Sequence, residues 1–302
     1  MSLPTATLGR TGVAVSKLGY GAMELRSRNL DPSEVDRLLN GVLDAGINMI
    51  DTSPDYGASE EHIGRALSGR RDEYFLASKC GCPVGEPVGE AGPAGREHVF
   101  TRANVRAGVE QSLSRMRTDH LDLVQFHMSP SPATLAEDDA VAELVALRDE
   151  GKIRFLGISG TLPNLPDQIA MGVFDAFQIP YSAVEREHET AITSAAEAGG
   201  GTIIRGGVAR GFPEPPAEYP ERYREMMRAR NERFNQTDIS DLLGEMTPME
   251  FMLRFTLSHP DMHTTIVGTK NPDHLAANVA AASNGPLPTD VYDEAKRRFD
   301  RG

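Results

Sequence analysis

Eight short apolar runs alternate with amphipathic stretches along this chain, and the alternation constrains the fold more than any other feature. Each run has four to seven residues, is rich in Ile, Val, Leu and Phe, and alternates little between polar and apolar. A parallel strand that is buried on both faces has this pattern. The runs are Leu18–Gly21, Ile47–Asp51, Tyr74–Lys79, Leu121–His127, Arg154–Ser159, Ala176–Tyr181, Thr202–Gly206 and Thr264–Thr269.

Helices with recognisable start and stop signals are predicted between these runs. Asp31-Pro32-Ser33-Glu34 supplies an N-cap, a proline and an acidic residue for a helix that ends at Gly46. Similar signals predict helices that begin at Thr101, near Val141, at Thr247 and at Asn271, with shorter helices near 60–67, 164–171 and 188–198.

Eight strand–helix alternations are compatible with a closed barrel or with a doubly wound open sheet. An open sheet that binds dinucleotides carries G-x-G-x-x-G after its first strand, whereas only Gly19-Tyr20-Gly21 stands there. We therefore predict an α/β fold, a single (β/α)8 TIM barrel over residues 1–302. Thr5–Leu8 and Val13–Lys17 predict an N-terminal β-hairpin that plugs one end of it.

Three segments exceed what a minimal barrel needs, and we expect them to be long loops. Each follows the C-terminal end of a predicted strand, where barrel enzymes keep their substrate loops. The third contains a basic stretch from Arg222 to Arg233. The segments are Cys82–Arg96, Met128–Glu137 and Phe212–Met246.

Charge and hydropathy exclude several classes of protein. With 31 basic and 44 acidic residues the net charge is −13, which excludes a generally basic nucleic-acid binder and argues against adsorption to an anionic membrane. No apolar run of about 18 residues and no signal-peptide stretch is present, so we expect a cytoplasmic protein. Cys80 and Cys82 have no metal-ligand spacing and no cysteine or histidine nearby in sequence, so no metal site is expected.

Polar residues stand at the C-terminal ends of several predicted strands. Asp51 ends the second strand and precedes Tyr56, Lys79 ends the third strand, and His127 ends the fourth. Taken singly, each has an ordinary explanation: a turn aspartate, a rim tyrosine, an exposed lysine and a core histidine. A closed barrel, however, gathers all four at one end.

These four residue types suit the reduction of a carbonyl group. Hydride transfer to carbon leaves negative charge on oxygen, which requires a proton donor and a positive field. Tyr56 has the hydroxyl, and a cation beside it lowers the pKa of a phenol from about 10. Lys79 can supply that cation, Asp51 can keep it charged, and His127 can orient the substrate oxygen.

A phosphate site is predicted at the last strand. Ile266–Pro272 is a strand, a Gly-Thr-Lys turn and a helix that starts with proline. Free backbone N–H groups and the helix dipole favour an anion there, and Lys270 adds a full charge. An ordinary turn with one exposed lysine is the alternative.

At these residues the chain resembles the aldo-keto reductases over nearly its whole length. The resemblance implies an eight-stranded barrel that reduces carbonyl groups or oxidises alcohols with NAD(P)H. The matching stretches are Leu18–Met23 (LGYGAM), Ile50–Gly64 (IDTSPDYGASEEHIG), Leu76–Lys79 (LASK), Leu121–His127 (LDLVQFH), Gly151–Ser159 (GKIRFLGIS) and Val267–Asn278 (VGTKNPDHLAAN).

The resemblance also implies residue roles. It makes Tyr56 the general acid/base, Lys79 and Asp51 its tuning pair, and His127 the residue that orients substrate. It places Ser159 and Gln178 at the cofactor carboxamide and Lys270 at the adenosine end, where a lysine suits the 2′-phosphate of NADPH. The implied cofactor contacts are Gly21, Asp51, Ser159, Gln178, Arg205, Gly206, Val208, Arg210, Gly268, Thr269, Lys270, His274 and Asn278.

The sequence departs from the family pattern at three places. Gly160 follows Ser159 where the family usually has asparagine, and Ala277 stands where an acidic residue is common. Arg205 replaces an aromatic residue that often stacks on the nicotinamide, so its guanidinium either stacks in its place or binds an anionic substrate.

Two other functions are compatible with such a barrel. Lys79 at a strand end can form a Schiff base in a lyase, although that requires an uncharged lysine. A non-catalytic redox sensor can bind the cofactor without turnover, but it has no need of a proton donor.

Overall fold

The computed structural model describes residues 3–85, 97–208 and 221–300. Two short strands precede the eight that form the main sheet. In chain order the strands are β1 (Thr5–Thr7), β2 (Ala14–Ser16), β3 (Leu18–Gly21), β4 (Met49–Asp51), β5 (Phe75–Cys80), β6 (Leu121–Phe126), β7 (Ile153–Ser159), β8 (Ala176–Pro180), β9 (Gly201–Arg205) and β10 (Thr264–Val267).

Helices follow the strands of the main sheet. They are α1 (Pro32–Asp44), α2 (Ser59–Leu67), α3 (Arg102–Met116), α4 (Pro132–Ala136), α5 (Ala140–Asp149), α6 (Leu165–Ala170), α7 (Glu189–Glu197), α8 (Glu221–Gln236), α9 (Ser240–Leu243), α10 (Pro248–Leu257), α11 (Pro272–Ser283) and α12 (Thr289–Phe299). Within the described ranges, no helix is long and apolar enough to span a membrane.

The main sheet is a closed parallel barrel in the order β10-β3-β4-β5-β6-β7-β8-β9. Each predicted apolar run supplies one of its strands, so the (β/α)8 prediction is confirmed. Every residue of β5 and of β6 is buried. The inner face fills the barrel and the outer face lies under the helices, which is why the runs show so little polar alternation.

The predicted hairpin is present and closes the N-terminal end of the barrel. β1 and β2 pair antiparallel, and Leu8 after β1 packs inside the barrel with Met49, Phe75 and Ile203. Gly9 has φ +47°, and an added Cβ there would overlap the backbone of Gly201. The hairpin tip therefore requires a glycine at this close approach.

Four of the predicted helix starts are confirmed by their capping hydrogen bonds. The Asp31 carboxylate accepts the Ser33 and Glu34 N–H groups at 2.8 and 3.2 Å, which satisfies two donors of the first turn of α1. Thr101, Thr247 and Asn271 cap α3, α10 and α11 in the same way.

The prediction of long loops is wrong for part of the chain. Met128–Glu137 contains α4, and Phe212–Met246 contains α8 and α9. Among the described side chains of α8, Met227 alone is buried, so the helix lacks the apolar stripe on which the prediction depended. Residues 82–85 of the first segment lie in the structure, whereas 86–96 of the first segment and 212–220 of the third lie outside the described residues. Helix α12 was not predicted.

Candidate active site

The C-terminal ends of the barrel strands bring the predicted polar side chains to one rim. Asp51 is the last residue of β4, Lys79 lies near the end of β5, and His127 directly follows β6. The ladder continues into His127, whose N–H donates to Cys80 O at 3.1 Å. Tyr56 follows β4 in the loop before α2. The structure therefore assembles all four residues.

A buried ion pair lies at the centre of this rim. Lys79 Nζ is 2.7 Å from Asp51 Oδ2 and donates to Thr52 O at 2.8 Å. The exposed fractions of the Lys79 and Asp51 side chains are 0% and 1%. Burial is the largest single effect and lowers the pKa of Lys79, but the charge and hydrogen bond of Asp51, together with the smaller effects of Tyr56 and Cys82, raise that pKa overall. Lys79 is therefore held as a cation.

Two glutamine amides fix the other oxygen of Asp51. Oδ1 accepts from Gln125 Nε2 at 2.9 Å and from Gln178 Nε2 at 2.8 Å. Gln125 was missed by the sequence analysis, although an amide inside the otherwise apolar run of β6 was an available signal. With Lys79 on Oδ2, the carboxylate cannot rotate without losing a hydrogen bond.

The Tyr56 ring stands between the ion pair and the histidine. Its centroid is 5.2 Å from Lys79 Nζ, and the His127 ring meets it edge-on at 6.3 Å. Burial raises the pKa of the Tyr56 hydroxyl, while the positive charge of Lys79 acts in the opposite direction. The net direction is upward, so the expectation that the cation lowers the pKa of this phenol below its ordinary value is wrong, and the Tyr56 hydroxyl stays protonated near pH 7.

His127 contacts a group of residues that the sequence analysis did not connect. Its Nδ1 lies 3.2 Å from His98 Nε2, 3.5 Å from Cys82 Sγ and 3.6 Å from Asp55 Oδ2. Burial lowers the pKa of His127 to about 4, so its ring is neutral near pH 7. No histidine is near Cys82 in sequence, but the fold brings His98 and His127 to it.

The first of two polar patches at this end of the barrel lies on β7 and β8. Ser159 Oγ donates to Gln178 Oε1 at 3.3 Å. At Gly160 next to it, an added Cβ would lie 2.5 Å from Gln168 Oε1, so the asparagine of the family pattern would require the Gln168 side chain to move. Gln168 instead fills that space and donates to Ser129 Oγ at 3.1 Å.

The second patch is the turn after β10. Tyr20 OH donates to Thr269 O at 2.6 Å, and Thr269 Oγ1 accepts the Asn271 N–H at 3.0 Å, so the turn is braced from both sides. An added Cβ at Gly268 would lie 2.6 Å from Gly21 O, so a larger residue would clash there. Because Gly268 is exposed and has no side chain, its backbone faces solvent uncovered.

Helix α11 begins directly after this turn. Lys270 and His274 are exposed and Asn278 is half-buried; they follow each other at four-residue intervals. A helix N-terminus with an exposed lysine and bare glycine backbone fits a phosphate. The amide-bearing patch on β7–β8 fits a carboxamide, so the two patches together suit the two ends of a dinucleotide.

The last predicted contacts lie at and after the end of β9. Arg205 is its last residue and is half-buried, and its positive charge acts to lower the pKa of Tyr56 against the larger effect of burial. Gly206 has φ +74° and Val208 is buried. Arg210 lies outside the described residues.

Comparison with known proteins gives a consistent set of relatives. A family model described as "Aldo/keto reductase family" matches residues 17–297. The NADH-specific methylglyoxal reductase of Escherichia coli (strain K12) is 25% identical over 91% of this chain and 92% of its own. Aldo-keto reductase YhdN of Bacillus subtilis (strain 168) is 26% identical over 90% and 86%. The holo form of aldo-keto reductase AKR11C1 from Bacillus halodurans superposes with a TM-score of 0.78, at 26% identity, over 99% and 96% of the two chains.

Proposed function

Because the chain belongs to the aldo/keto reductase family and is therefore an oxidoreductase, we propose that it reduces aldehydes or ketones with NADPH, or oxidises the corresponding alcohols, with Tyr56 as general acid and base. The observation that carries this proposal is the buried Lys79–Asp51 pair, whose cation lies 5.2 Å from the Tyr56 ring centroid. A permanent cation beneath a phenol stabilises the phenolate that remains after proton donation.

The two polar patches fit the cofactor that this chemistry needs. Ser159 and Gln178 would hold its carboxamide, and the Gly268–Lys270 turn with the start of α11 would hold its adenosine phosphates. When bound, the nicotinamide ring supplies hydride for reduction or accepts it for oxidation. Since Gln178 also donates to Asp51 at 2.8 Å, one carboxylate supports both the cofactor side and the proton-donor side of the site.

Side chains of this chain carry out the proton transfer and orient the substrate. In reduction, the Tyr56 hydroxyl gives its proton to the oxygen on which negative charge develops, and Lys79 stabilises the resulting phenolate. His127 is neutral and donates a hydrogen bond that orients the substrate oxygen. In oxidation Tyr56 takes the proton back. A Schiff-base lyase is less well supported, because Asp51 keeps Lys79 protonated and thus not nucleophilic.

A carbonyl panel tests the proposed function. Aldehydes and ketones of varied size and charge are mixed with the protein and either NADPH or NADH, and nicotinamide absorbance is followed. Turnover with at least one compound class is expected, with NADPH preferred. Absence of turnover above background with both cofactors would favour the redox-sensor alternative. Borohydride inactivation that depends on substrate would favour the lyase.

The cofactor preference depends on Lys270. We expect Lys270→Ala to weaken NADPH binding by about 1.5–3 kcal/mol, the range for a hydrogen bond to a charged group, and to leave NADH binding nearly unchanged. Calorimetry with both cofactors measures this, since the chain has no tryptophan to quench. Lys152→Ala is the matched control, because Lys152 pairs with Glu110 and Glu150 before β7, at the other end of the barrel. Equal losses for NADPH and NADH would make Lys270 structural.

Arg205 is proposed to stack on the nicotinamide in place of an aromatic residue. A cation against the oxidised, positively charged ring is unfavourable, so Arg205→Tyr should tighten NADP⁺ binding several-fold more than NADPH binding. The control Arg205→Lys keeps the charge and should keep the wild-type ratio of affinities. Arg205→Tyr could instead leave the ratio of NADP⁺ to NADPH affinity unchanged and lose activity on anionic substrates alone. That result would show that Arg205 binds substrate.

A further inference from the structure

Four potential metal ligands, of which His127 is one, lie close together beside the candidate active site. Asp55 lies in the loop after β4, Cys82 and His98 lie in the segment between β5 and α3, and His127 follows β6. Their ligand atoms all lie within 4.8 Å of one another. The exposed fraction is 2% for Cys82 and 0% for the Asp55 side chain. No other group of three or more potential ligands of these types is found in the described parts of the chain.

Four of the six separations between these atoms lie near those around a tetrahedral ion, and the other two, from Cys82 Sγ to Asp55 and to His98, are within 4.8 Å. His98 Nε2 lies 3.0 Å from Asp55 Oδ2 and 3.2 Å from His127 Nδ1. His127 Nδ1 lies 3.5 Å from Cys82 Sγ and 3.6 Å from Asp55 Oδ2. Zinc bonds of about 2.0–2.3 Å in a tetrahedral arrangement put ligand atoms roughly 3.3–3.6 Å apart. The cluster is therefore already near the size that zinc requires.

We propose that Asp55, Cys82, His98 and His127 form a binding site for a zinc ion. One sulfur, two imidazole nitrogens and one carboxylate oxygen are the donors that zinc prefers over magnesium or calcium. The thiolate and the carboxylate balance the charge of the ion, so the buried site is neutral when filled. With four protein ligands and almost no exposure, the site is closed and has no open position for substrate.

Contacts around the four residues hold them in place. The Val99 N–H donates to Gly81 O at 2.8 Å and joins the two ends of the segment that carries Cys82 and His98. Ser53 Oγ accepts the Asp55 N–H at 3.2 Å and lies 3.7 Å from Cys82 Sγ. Such outer partners orient metal ligands, so the site is already arranged before the ion binds.

Binding moves protons in a defined way. The Cys82 thiol releases its proton to solvent, and the two ligating nitrogens give up any proton they carry. His127, ligated through Nδ1, then keeps its single proton on Nε2. The ion would thus tie the segment after β5 to the loop after β4 and fix the tautomer of His127.

Metal binding by the whole protein tests the site. The protein is purified without a metal-affinity tag, stripped with chelator and titrated with Zn²⁺ or Co²⁺. We expect stoichiometric zinc, a rise in Tm, and a thiolate-to-cobalt charge-transfer band. Cys82→Ala should lose the band and weaken zinc binding by more than about 100-fold, since outer-shell partners alone are worth 10–100-fold. Cys80→Ala, which removes the other buried thiol, should behave as the wild type.

Several outcomes would overturn the zinc site. The first is that the wild-type protein binds no more zinc than Cys82→Ala does. The second is that the cobalt spectrum of the wild-type protein lacks the thiolate band. The third is that Cys80→Ala loses as much zinc affinity as Cys82→Ala. If Cys82→Ala does not fold, His98→Gln replaces it, and the wild-type cobalt spectrum decides by itself. Metal is measured without substrate or cofactor, so the result is independent of the proposed reaction.

Discussion

Tyr56→Phe should lower carbonyl reduction by about 100-fold to 10,000-fold, the usual contribution of general acid–base catalysis. The substitution removes the hydroxyl that donates the proton but keeps the ring between Lys79 and His127. Cofactor affinity should therefore stay near the wild-type value. Steady-state kinetics on the best substrate of the carbonyl panel and calorimetry with NADPH measure the two effects separately.

Tyr74→Phe is the matched control for Tyr56. Tyr74 directly precedes β5, at the opposite end of the barrel, and its ring packs under the Arg71 guanidinium. It should retain wild-type turnover. A fall in cofactor affinity of the same size as the fall in rate for Tyr56→Phe would mean that Tyr56 holds the cofactor rather than donating the proton.

Lys79→Met should also abolish turnover, and in addition it should destabilise the fold. The cation that stabilises the Tyr56 phenolate is lost, and Asp51 remains buried without its counter-ion. Removing one partner of a buried ion pair costs about 3–5 kcal/mol. Denaturant unfolding and steady-state kinetics measure the two losses.

A double variant separates stability from chemistry at this pair. Asp51→Asn combined with Lys79→Met leaves no unpaired charge, so most of the lost stability should return while turnover stays absent. If the double variant recovers turnover together with stability, the cation has no part in proton transfer, and the loss in Lys79→Met comes from misfolding of the site.

The barrel was predictable because its physical requirements are local. A strand buried on both faces must be apolar along its whole length, so the runs appear in the sequence wherever β3 to β10 lie. Helix starts were predictable for the same reason, as Asp31 and Thr101 cap helices that begin next to them. Helix α8 was not, because it has little apolar pattern of its own and its contacts, such as Arg233 with Val184 O and Phe299 O, join residues that are distant in sequence.

The candidate site was predictable only in part. The four residues at the strand ends could be grouped because parallel strands bring their C-terminal ends together. Gln125 lies within a strand, and its role became visible only through its hydrogen bond to Asp51. His98 and Asp55 lie in loops at no recognisable spacing, so neither periodicity nor motif pointed to their contact with His127.

The closure of the barrel between its first and last strands has a consequence for synthesis on the ribosome. β3 pairs with β10 through Leu18 and Thr265, and β10 also pairs with β9. Until Thr264–Val267 has left the exit tunnel, β3 and β9 are both open sheet edges, which can pair with other chains. Every residue up to Val267 must therefore be made and released before these edges are covered, and a nascent chain stalled earlier is the form most exposed to aggregation.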